Sequence, residues 1–554
     1  MNANLDTTSS GAARHRRLFR TTLVSAIAVA TAISLVACST EASEEPGTAT
    51  ATAGGSLNVA IDADPVCLDP AQATLIASNV VSRQVVDSLV DQDPETGEFS
   101  PWLASSWEIN DDASAYTFTL VDGVTFSDGE VLDASAVKTA FDAIVALGAR
   151  SPFGGTYFSG YVGTTVIDPL TVEVAFDSPN AQFLMAASST TLGIQSPGAM
   201  AATPEERCAG TAIVGSGPFT IDTYTPNQSV HIVNREDYDW PSGLAEHSGA
   251  AYLDDVTYTV ATEPSVRSGS LASGQVDMAT TIQPQDEAQF DGNGFSLLTR
   301  TNPGVVIGMS PDLTHSTILQ DEDVRQAIQM GIDREEIAEV VLTPSYGVAT
   351  GILGNTTPGW SDAGDLLVYD PDAAGDLLDD AGWEMGDDGI REKDGEKLAI
   401  SIAYFYQTNV VEYTQQQLRK IGVDLVLNEM TAAQYTSSYK SGNTDMISTS
   451  VSRPDPDILR AVFSPITGIT NLAFLTPEDA VAQELEPLFD SIRSTTDVDS
   501  RAETAAEAQD ILLENNLMFP LSQLTQVIGV SDSVTGVRYD AASRFMVYDA
   551  SITE

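Results

Sequence analysis

The pattern of hydrophobic and polar positions changes twice before the globular part of the chain begins. A mainly apolar run covers residues 23–37 and follows four arginines. A basic stretch before a run of this length is typical of a secretory signal peptide, and the run is shorter than the roughly 20 residues that cross a bilayer as a helix. Residues 39–55 lack apolar periodicity and are rich in small and polar residues. The pattern predicts a signal peptide at 1–37 and a flexible tether at 38–55.

Beyond the tether, the first half of the chain mixes two periodicities. Residues 56–61 alternate as a strand does, and apolar residues recur at helical spacing over 74–90. The 115–126 region alternates and turns through Asp122-Gly123, which is typical of a hairpin, and 170–176 is a second hairpin-like run. These signals predict strands and helices interleaved in the first half.

The second half alternates helices and strands more regularly. Asp370 and Pro371 have the residue types of an N-cap and a first helical position, and Gly382 is suited to end that helix. A second helical pattern at 410–420 is followed at once by a strand pattern at 423–427. Helix, glycine and strand in this order predict α/β layering around a largely covered sheet.

Composition narrows the class of protein and of partner. A hydrophobic fraction of 42% describes a soluble globular protein, and 554 residues leave room for two or three domains. The formal net charge is −54, and the chain has only five lysines. Such a surface repels nucleic acid and anionic lipid, so neither is expected as a partner.

The three cysteines predict an export route and one crosslink. Leu35, Ala37 and Cys38 resemble a bacterial lipoprotein processing site, in which the cysteine is lipidated and becomes the first residue. The alternative is an ordinary cleaved signal with a chance cysteine. If Cys38 carries lipid, Cys67 and Cys208 remain as an even pair in an oxidising compartment, and we expect a disulfide between them. Two buried free thiols are the alternative.

The sequence offers no catalytic set. His231, His247 and His315 are far apart without zinc-ligand spacing, and neither a nucleophile elbow nor a Walker-type loop is present. Residues 215–217 lack the third glycine of a dinucleotide loop, and Pro218 blocks the helix that such a loop needs. We therefore expect a protein that is not an enzyme, with no cofactor and no resident metal.

Many short stretches, in order and over roughly residues 56–545, together resemble the extracellular solute-binding proteins of ABC importers, in the dipeptide, oligopeptide and nickel-binding family 5. The stretches are Leu68–Pro70, Pro101–Ala104, Ser106–Glu108, Tyr116–Leu120, Gly123–Phe126, Asp128-Gly129, Gly215–Phe219, Asn234 with Tyr238 and Trp240, Ser273–Asp277, Asp323–Ile328, Ile332–Arg334, Tyr369–Pro371, Ala381–Trp383 and Leu418–Val423.

The resemblance implies a periplasmic-binding-protein-like α/β fold, with two lobes, a hinge and an extra α/β domain inserted in the first lobe. The domains expected on this basis are lobe I, made of 56–88, 214–300 and 506–554; the extra domain, 89–213; and lobe II, 301–505.

The resemblance also implies a function. A receptor of this family, tied by its lipid to the outer face of the cell membrane, captures a small organic solute and delivers it to an ABC permease. The resemblance favours a peptide as the solute and a monomer as the assembly. The alternatives are a nickel, metal-chelate or other non-peptide receptor of the same fold, or a lipoprotein that senses or adheres.

One segment departs from the family pattern. Family members that hold peptides often carry an aspartate at the position of Ser452, where it pairs with the peptide's α-ammonium. Serine offers no such charge, and Arg453 after it would repel an ammonium but could clamp a carboxylate or phosphate. Asp455 could replace the missing aspartate. We therefore expect Ser452, Arg453 and Asp455 at the ligand, the alternative being a merely rigid proline-rich loop.

Three further residues are candidate ligand contacts. Tyr404 and Tyr406 lie at a strand end in an alternating aromatic run, where an amphipathic ligand could find apolar walls. Asn302, beside Pro303-Gly304, is the third candidate.

Overall fold

The computed structural model describes residues 53–210, 212–405 and 408–553. The predicted signal peptide, Cys38, most of the tether and Tyr406 lie outside the described residues.

The strands run in chain order from the end of the tether to the C-terminus. They are β1 Ser56–Ile61, β2 Val90–Gln92, β3 Phe99–Pro101, β4 Ala104–Ile109, β5 Ala115–Leu120, β6 Tyr161–Asp168, β7 Thr171–Phe176, β8 Phe219–Thr225, β9 Ser229–Asn234, β10 Asp255–Val260, β11 Met278–Ala279, β12 Phe295–Thr301, β13 Gly304–Pro311, β14 Glu384–Met385, β15 Arg391–Lys393, β16 Glu396–Lys397, β17 Ala399–Tyr404, β18 Asp424–Glu429, β19 Met446–Ser452, β20 Phe519–Ser522, β21 Thr525–Ser531, β22 Val534–Thr535, β23 Arg538–Tyr539, β24 Phe545–Met546 and β25 Ser551–Ile552.

The helices alternate with these strands most regularly after residue 320. They are α1 Ile76–Arg83, α2 Ala134–Leu147, α3 Pro152–Tyr157, α4 Phe183–Ser188, α5 Pro197–Met200, α6 Pro204–Cys208, α7 Pro264–Ala272, α8 Glu322–Met330, α9 Arg334–Val340, α10 Pro371–Asp380, α11 Thr408–Lys420, α12 Ala432–Ser441, α13 Ile458–Phe463, α14 Ala480–Ser494 and α15 Val498–Glu514.

Two mixed sheets form the centres of the two lobes. The lobe I sheet has the order β12-β21-β11-β1-β10-β9-β8, with β1 parallel to both of its neighbours. The lobe II sheet has the order β18-β17-β19-β13-β20, with β17 parallel to both of its neighbours. Helices and loops cover these sheets, so the α/β class with two lobes is confirmed.

The chain passes between the two sheets at two adjacent places. One passage joins β12 to β13 through Asn302, and the other joins β20 to β21 through Leu524. The Asn302 N–H donates to the Leu524 carbonyl at 2.7 Å, which ties the two passages together as a hinge would require. The predicted end of lobe II at residue 505 lies inside α15. This helix packs on lobe II, and β20, the strand after it, also belongs to the lobe II sheet.

A third sheet forms the extra domain. It is antiparallel, with the order β4-β5-β7-β6, and α2 packs on it. Its core is a cluster of aromatic rings that meet mainly edge to face, a geometry that such rings favour: Tyr116, Phe118, Phe141, Phe158, Phe176 and Phe183. Cys67, in the loop after β1, is joined to Cys208 at the end of α6 by a disulfide, so the domain is also covalently linked to lobe I.

Several local predictions are confirmed. Residues 56–61 form β1, and 170–176 contribute β7, which pairs with β6. The Asp370 side chain accepts from the Ala373 N–H at 2.9 Å at the start of α10. Gly382 ends that region with a φ of +86°, in the left-handed region that favours glycine.

Two local predictions are wrong. The helix predicted to run to Val90 ends at Arg83, because the Val85 carbonyl accepts from the Gly217 N–H and the backbone there packs against Gly215. A Cβ on Gly215 would lie 1.9 Å from the Val85 carbonyl oxygen. The residues after Asp122-Gly123 do not pair with β5, whose neighbours are β4 and β7.

Candidate functional site

A groove with a volume of about 740 Å³ lies between lobe I and lobe II. Apolar side chains form much of its wall: Leu75 and Ile76 of lobe I, Phe153 of the extra domain, and Phe405, Ile469 and Leu472 of lobe II. This size and this mainly apolar lining with a few polar groups are typical of pockets for small organic ligands.

A smaller polar pocket of about 70 Å³, here called the inner pocket, adjoins the groove. Asp91, Asp540, Thr190 and Thr191 line it. Ser452 and Arg544, together with Asn79 and Phe153, line both spaces. A ligand in the groove could therefore place a polar group at the mouth of the inner pocket.

Backbone pairing brings Ser452 close to the hinge. Ser452 is the last residue of β19 and lies opposite Gly304 of β13, two residues after Asn302. A Cβ on Gly304 would lie 2.1 Å from the Val451 carbonyl oxygen, so only glycine permits this close approach. The Ser452 hydroxyl is buried and has no hydrogen-bond partner among the described residues.

The hydrogen bonds behind Asn302 fix the orientation of its amide. Gln526 Nε2 donates to the Ser543 carbonyl at 2.6 Å and to Asn302 Oδ1 at 2.7 Å. Since the Ser543 carbonyl can only accept, the nitrogen of Gln526 must face it, and the oxygen of Asn302 must face Gln526. Asn302 Nδ2 therefore points elsewhere, and it is buried without a partner among the described residues.

Arg544 reaches the groove from a tight loop of lobe I. The loop connects β23 to β24, and the Arg544 backbone N–H donates to Asp540 Oδ1 at 2.7 Å. Arg544 Nη1 is buried, and no described residue accepts a hydrogen bond from it. Burial lowers the pKa of Arg544, and the nearby Asp540 offsets this only in part.

Two carboxyl groups of the inner pocket are also buried. Burial raises the pKa of both Asp91 and Asp540, against the opposing effect of hydrogen bonds and of nearby arginines. Asp91 already accepts from the Ser242 hydroxyl and from the Gln92 N–H. The inner pocket is therefore polar, but its carboxyl groups already accept hydrogen bonds from groups of the protein.

Comparisons with known proteins agree with this architecture. The family model described as bacterial extracellular solute-binding proteins, family 5 middle, matches residues 98–464, about two thirds of the chain. The chain belongs to family 5 of the bacterial extracellular solute-binding proteins. This family supplies the extracytoplasmic ligand receptors of ABC importers, so the predicted function class and resemblance are confirmed.

Individual relatives cover nearly the whole chain. The glutathione-binding protein GsiB of Salmonella paratyphi A is 25% identical over 517 residues, which are 91% of this chain and 95% of GsiB. NikA from Brucella suis, solved with Fe(III)-EDTA, superimposes with a TM-score of 0.79 at 22% identity and covers 90% of this chain and 100% of NikA.

A dipeptide-binding protein from Pseudoalteromonas sp. SM9913, solved with Met-Leu, gives a TM-score of 0.74 at 20% identity and covers 90% of this chain and 100% of that one. At these identities the two solved structures show the shared fold alone. The relatives of this family 5 protein are substrate-binding proteins and not enzymes.

In this family 5 protein, the segment after Ser452 is paired within the protein. Arg453 is 3% exposed, donates to Gln182 Oε1 at 3.2 Å and lies over the Tyr157 ring at 5.4 Å. Asp455 is also 3% exposed and forms two hydrogen bonds with Arg501, at 2.7 and 3.1 Å. Ser452 lines the groove, whereas Arg453 and Asp455 lie behind it.

Phe405, which lies between the predicted contacts Tyr404 and Tyr406 in sequence, contributes an aromatic side chain to the groove wall. Tyr404 is 3% exposed within the core of lobe II, while the next residue, Phe405, is 41% exposed and lines the groove. Phe405 packs against Tyr435, with ring centroids 4.9 Å apart. Alternation along a strand could not decide which of two adjacent residues faces the groove.

Sequence reasoning missed Arg544 and Phe153, and no short motif marks either of them. Arg544 lies more than 90 residues from Ser452 and meets it only because the chain returns to lobe I after β20.

Two features are absent from the described residues. Among them, no helix is long and apolar enough to cross a membrane, and no group of three or more His, Cys, Asp or Glu side chains is placed to hold a metal ion.

Proposed function

We propose that this chain is a membrane-tethered receptor that captures a peptide or peptide-like solute in the groove and passes it to an ABC permease. The observation that carries the proposal is the groove itself, which lies beside the paired passages between the lobes and combines apolar walls with unpartnered polar atoms. Closure of two lobes around a ligand is a general way to bury a polar solute and release it again.

Contacts between lobe II and the extra domain support a closing motion. Arg453 of lobe II bonds Gln182 of the extra domain, and the Ala181 N–H donates to the Arg493 carbonyl of lobe II at 2.8 Å. Because Arg453 directly follows Ser452 of the groove wall, such contacts can form or separate as a ligand enters. The glutathione and dipeptide ligands of the relatives favour a peptide-like solute here.

Native mass spectrometry tests the proposal. We would purify the chain from Ala51 onward, which forms one compact unit, under conditions that retain a bound solute. A bound mass that fragments as a peptide is the expected result. A metal chelate would replace the peptide assignment, and a chain that stays empty and binds no member of a peptide panel would contradict the proposal.

Two isoleucines provide a matched pair of variants. Ile469 lines the groove and is 60% exposed, whereas Ile466 is 59% exposed and does not line it. Ile469→Trp should fill the groove and lower the occupancy of the bound solute at least tenfold, while Ile466→Trp should leave it unchanged. Equal occupancy in both variants would place the ligand elsewhere.

The tether is part of the same proposal. We infer that Cys38 is lipidated and holds the receptor at the outer face of the membrane as a monomer. The full chain should fractionate with membranes and carry a diacylglyceryl group on its first mature residue by mass spectrometry. Cys38→Ala should release it, and light scattering should give the monomer mass. A Cys38→Ala chain that stays in the membrane fraction would contradict this assignment.

A further inference from the structure

The unpartnered polar atoms around the groove share one chemical property. Among the described residues that line the groove and the inner pocket, the buried side-chain atoms without a partner are Arg544 Nη1, Asn302 Nδ2 and Ser452 Oγ. The first two are hydrogen-bond donors only, and the hydroxyl can donate. No carboxylate or carbonyl oxygen of a described lining side chain is buried without a partner. The unpartnered donors therefore require acceptor atoms from a ligand.

Arg544 differs from two other arginines of this region. Arg460 donates twice to Asp457, both times at 2.7 Å, and Arg501 donates twice to Asp455. Among the described residues, no carboxylate oxygen lies within 4.0 Å of the Arg544 guanidinium. A guanidinium without a carboxylate partner matches the planar, two-oxygen geometry of a carboxylate.

The acids of the inner pocket do not supply a site for an ammonium. Asp91 accepts from Ser242 and Gln92, and Asp540 accepts from the Arg544 backbone. Burial raises the pKa of both carboxyl groups, which favours their uncharged forms. Ser452 stands at the groove without charge.

We propose that Arg544 anchors a carboxylate of the captured solute, with Asn302 and Ser452 donating to the same group or to a neighbouring carbonyl. The receptor therefore selects acidic, acceptor-rich solutes with an apolar portion, and a free α-ammonium contributes nothing to their recognition. This inference rests on the proposed receptor function and narrows its ligand class.

Calorimetric titration with matched probes tests the inference. The probes are a series of dipeptides, Met-Leu among them, each prepared as the N-acetylated acid, as the N-acetylated C-terminal amide and as the unblocked dipeptide. We expect the acetylated acid to bind at least tenfold more tightly than its amide, and about as tightly as the unblocked dipeptide.

Substitutions assign the preference to Arg544. Arg544→Gln should remove the tenfold ratio between acid and amide, and Arg544→Lys should retain part of it because the charge remains. Arg419→Gln, at a position 58% exposed on α11, removes an arginine away from the groove and should leave the ratio unchanged. Circular dichroism confirms that each variant is folded before titration.

Three outcomes would overturn the inference. One is an amide that binds as tightly as its acid, and a second is an acid preference that survives Arg544→Gln. The third is binding that depends on the free amine. Each of these three results still shows binding and is compatible with the proposed receptor function. No binding across the series, together with an empty native mass spectrum, would contradict both the receptor function and the inference.

Discussion

Two arginines reach the groove region from opposite lobes, and their surroundings differ in one respect. Arg453 of lobe II has Gln182, Tyr157 and, at 4.0 Å, the Asp457 carboxylate around its guanidinium. Arg544 of lobe I has a buried nitrogen without a partner among the described residues. The Arg453 guanidinium is held by contacts within the protein, whereas Arg544 keeps a donor nitrogen that a ligand can bind.

The difference separates structure from function at this site. Buried polar groups in folded proteins are almost always paired, because an unpaired one loses its hydrogen bonds to water without replacement. An exception in a groove is therefore informative, since a ligand can supply the missing partner. An arginine held by protein groups beside the same groove, such as Arg453, carries no such information.

The largest expected effect comes from the paired side. Asp457 is fully buried and accepts two hydrogen bonds from Arg460, so Asp457→Ala leaves a buried cation without its partner. We expect the free energy of unfolding to fall by about 3–5 kcal/mol, measured by denaturant titration. The control is Asp490→Ala, which removes an exposed partner of Arg493. It should change the free energy of unfolding by about 1 kcal/mol or less. Similar losses in both variants would show that pairing at 453–460 is not structurally important.

Applying one substitution to both arginines tests the comparison directly. Arg453→Gln removes a charged hydrogen bond and a cation–π contact, and should lower the free energy of unfolding by about 2 kcal/mol. Arg544→Gln removes a half-buried charge whose Nη1 has no hydrogen-bond partner among the described residues, and should leave the stability of the empty protein unchanged or raise it. Thermal unfolding of the ligand-free variants measures both. A large loss of stability in Arg544→Gln would mean that Arg544 is structural after all.

A third variant tests the ligand side by adding the charge that Ser452 lacks. Ser452→Asp places a carboxylate on the groove wall that Arg544 also lines, where it competes with a solute carboxylate and offers a partner to an ammonium. We expect acetylated dipeptide acids to bind about tenfold more weakly, about 1.4 kcal/mol, and unblocked dipeptides to bind better relative to them. Ser452→Asn is the uncharged control. An unchanged preference in Ser452→Asp would remove Ser452 from the ligand contacts.

Local signals in the sequence were sufficient for much of the fold. Alternation predicted β1, and the cap residue Asp370 with Gly382 predicted the helix that became α10, because side-chain alternation along a strand and helix capping depend on neighbours in sequence. The helix ending at Arg83 was mispredicted because Gly215, 130 residues away, brings its backbone against Val85. Such a contact has no signature in the local pattern.

The candidate site was less predictable for the same reason. Ser452 was identified from the family resemblance and Asn302 from its place beside Pro303-Gly304, and both line the groove. Whether Arg453 or Arg544 is unpaired depends on Gln182, Tyr157 and the loop after β23, which lie far apart in the sequence. Residue type alone makes the two arginines equivalent, and only packing distinguishes them.

The smallest expected effect concerns the acid beside Arg544. Burial raises the pKa of Asp540, and the charges acting on it are those of Arg544, Arg83 and Asp91. When Asp540 is ionised it offsets part of the Arg544 charge, so Asp540→Asn should strengthen binding of acetylated dipeptide acids about two- to fivefold at pH 7.5.

The effect of Asp540→Asn should shrink as the pH falls. A carboxyl group with a raised pKa in the folded state stabilises the fold at low pH, and this contribution is lost as the pH rises through that pKa. Lowering the pH therefore protonates Asp540 in the wild-type protein, while the solute carboxylate, with an ordinary pKa of about 3.5, stays ionised at pH 5. Wild-type affinity should rise toward that of Asp540→Asn as the pH of calorimetric titrations is lowered from 7.5. If Asp540→Asn instead weakens binding at every pH, Asp540 contacts the solute directly, and the inner pocket holds a donor group of the ligand.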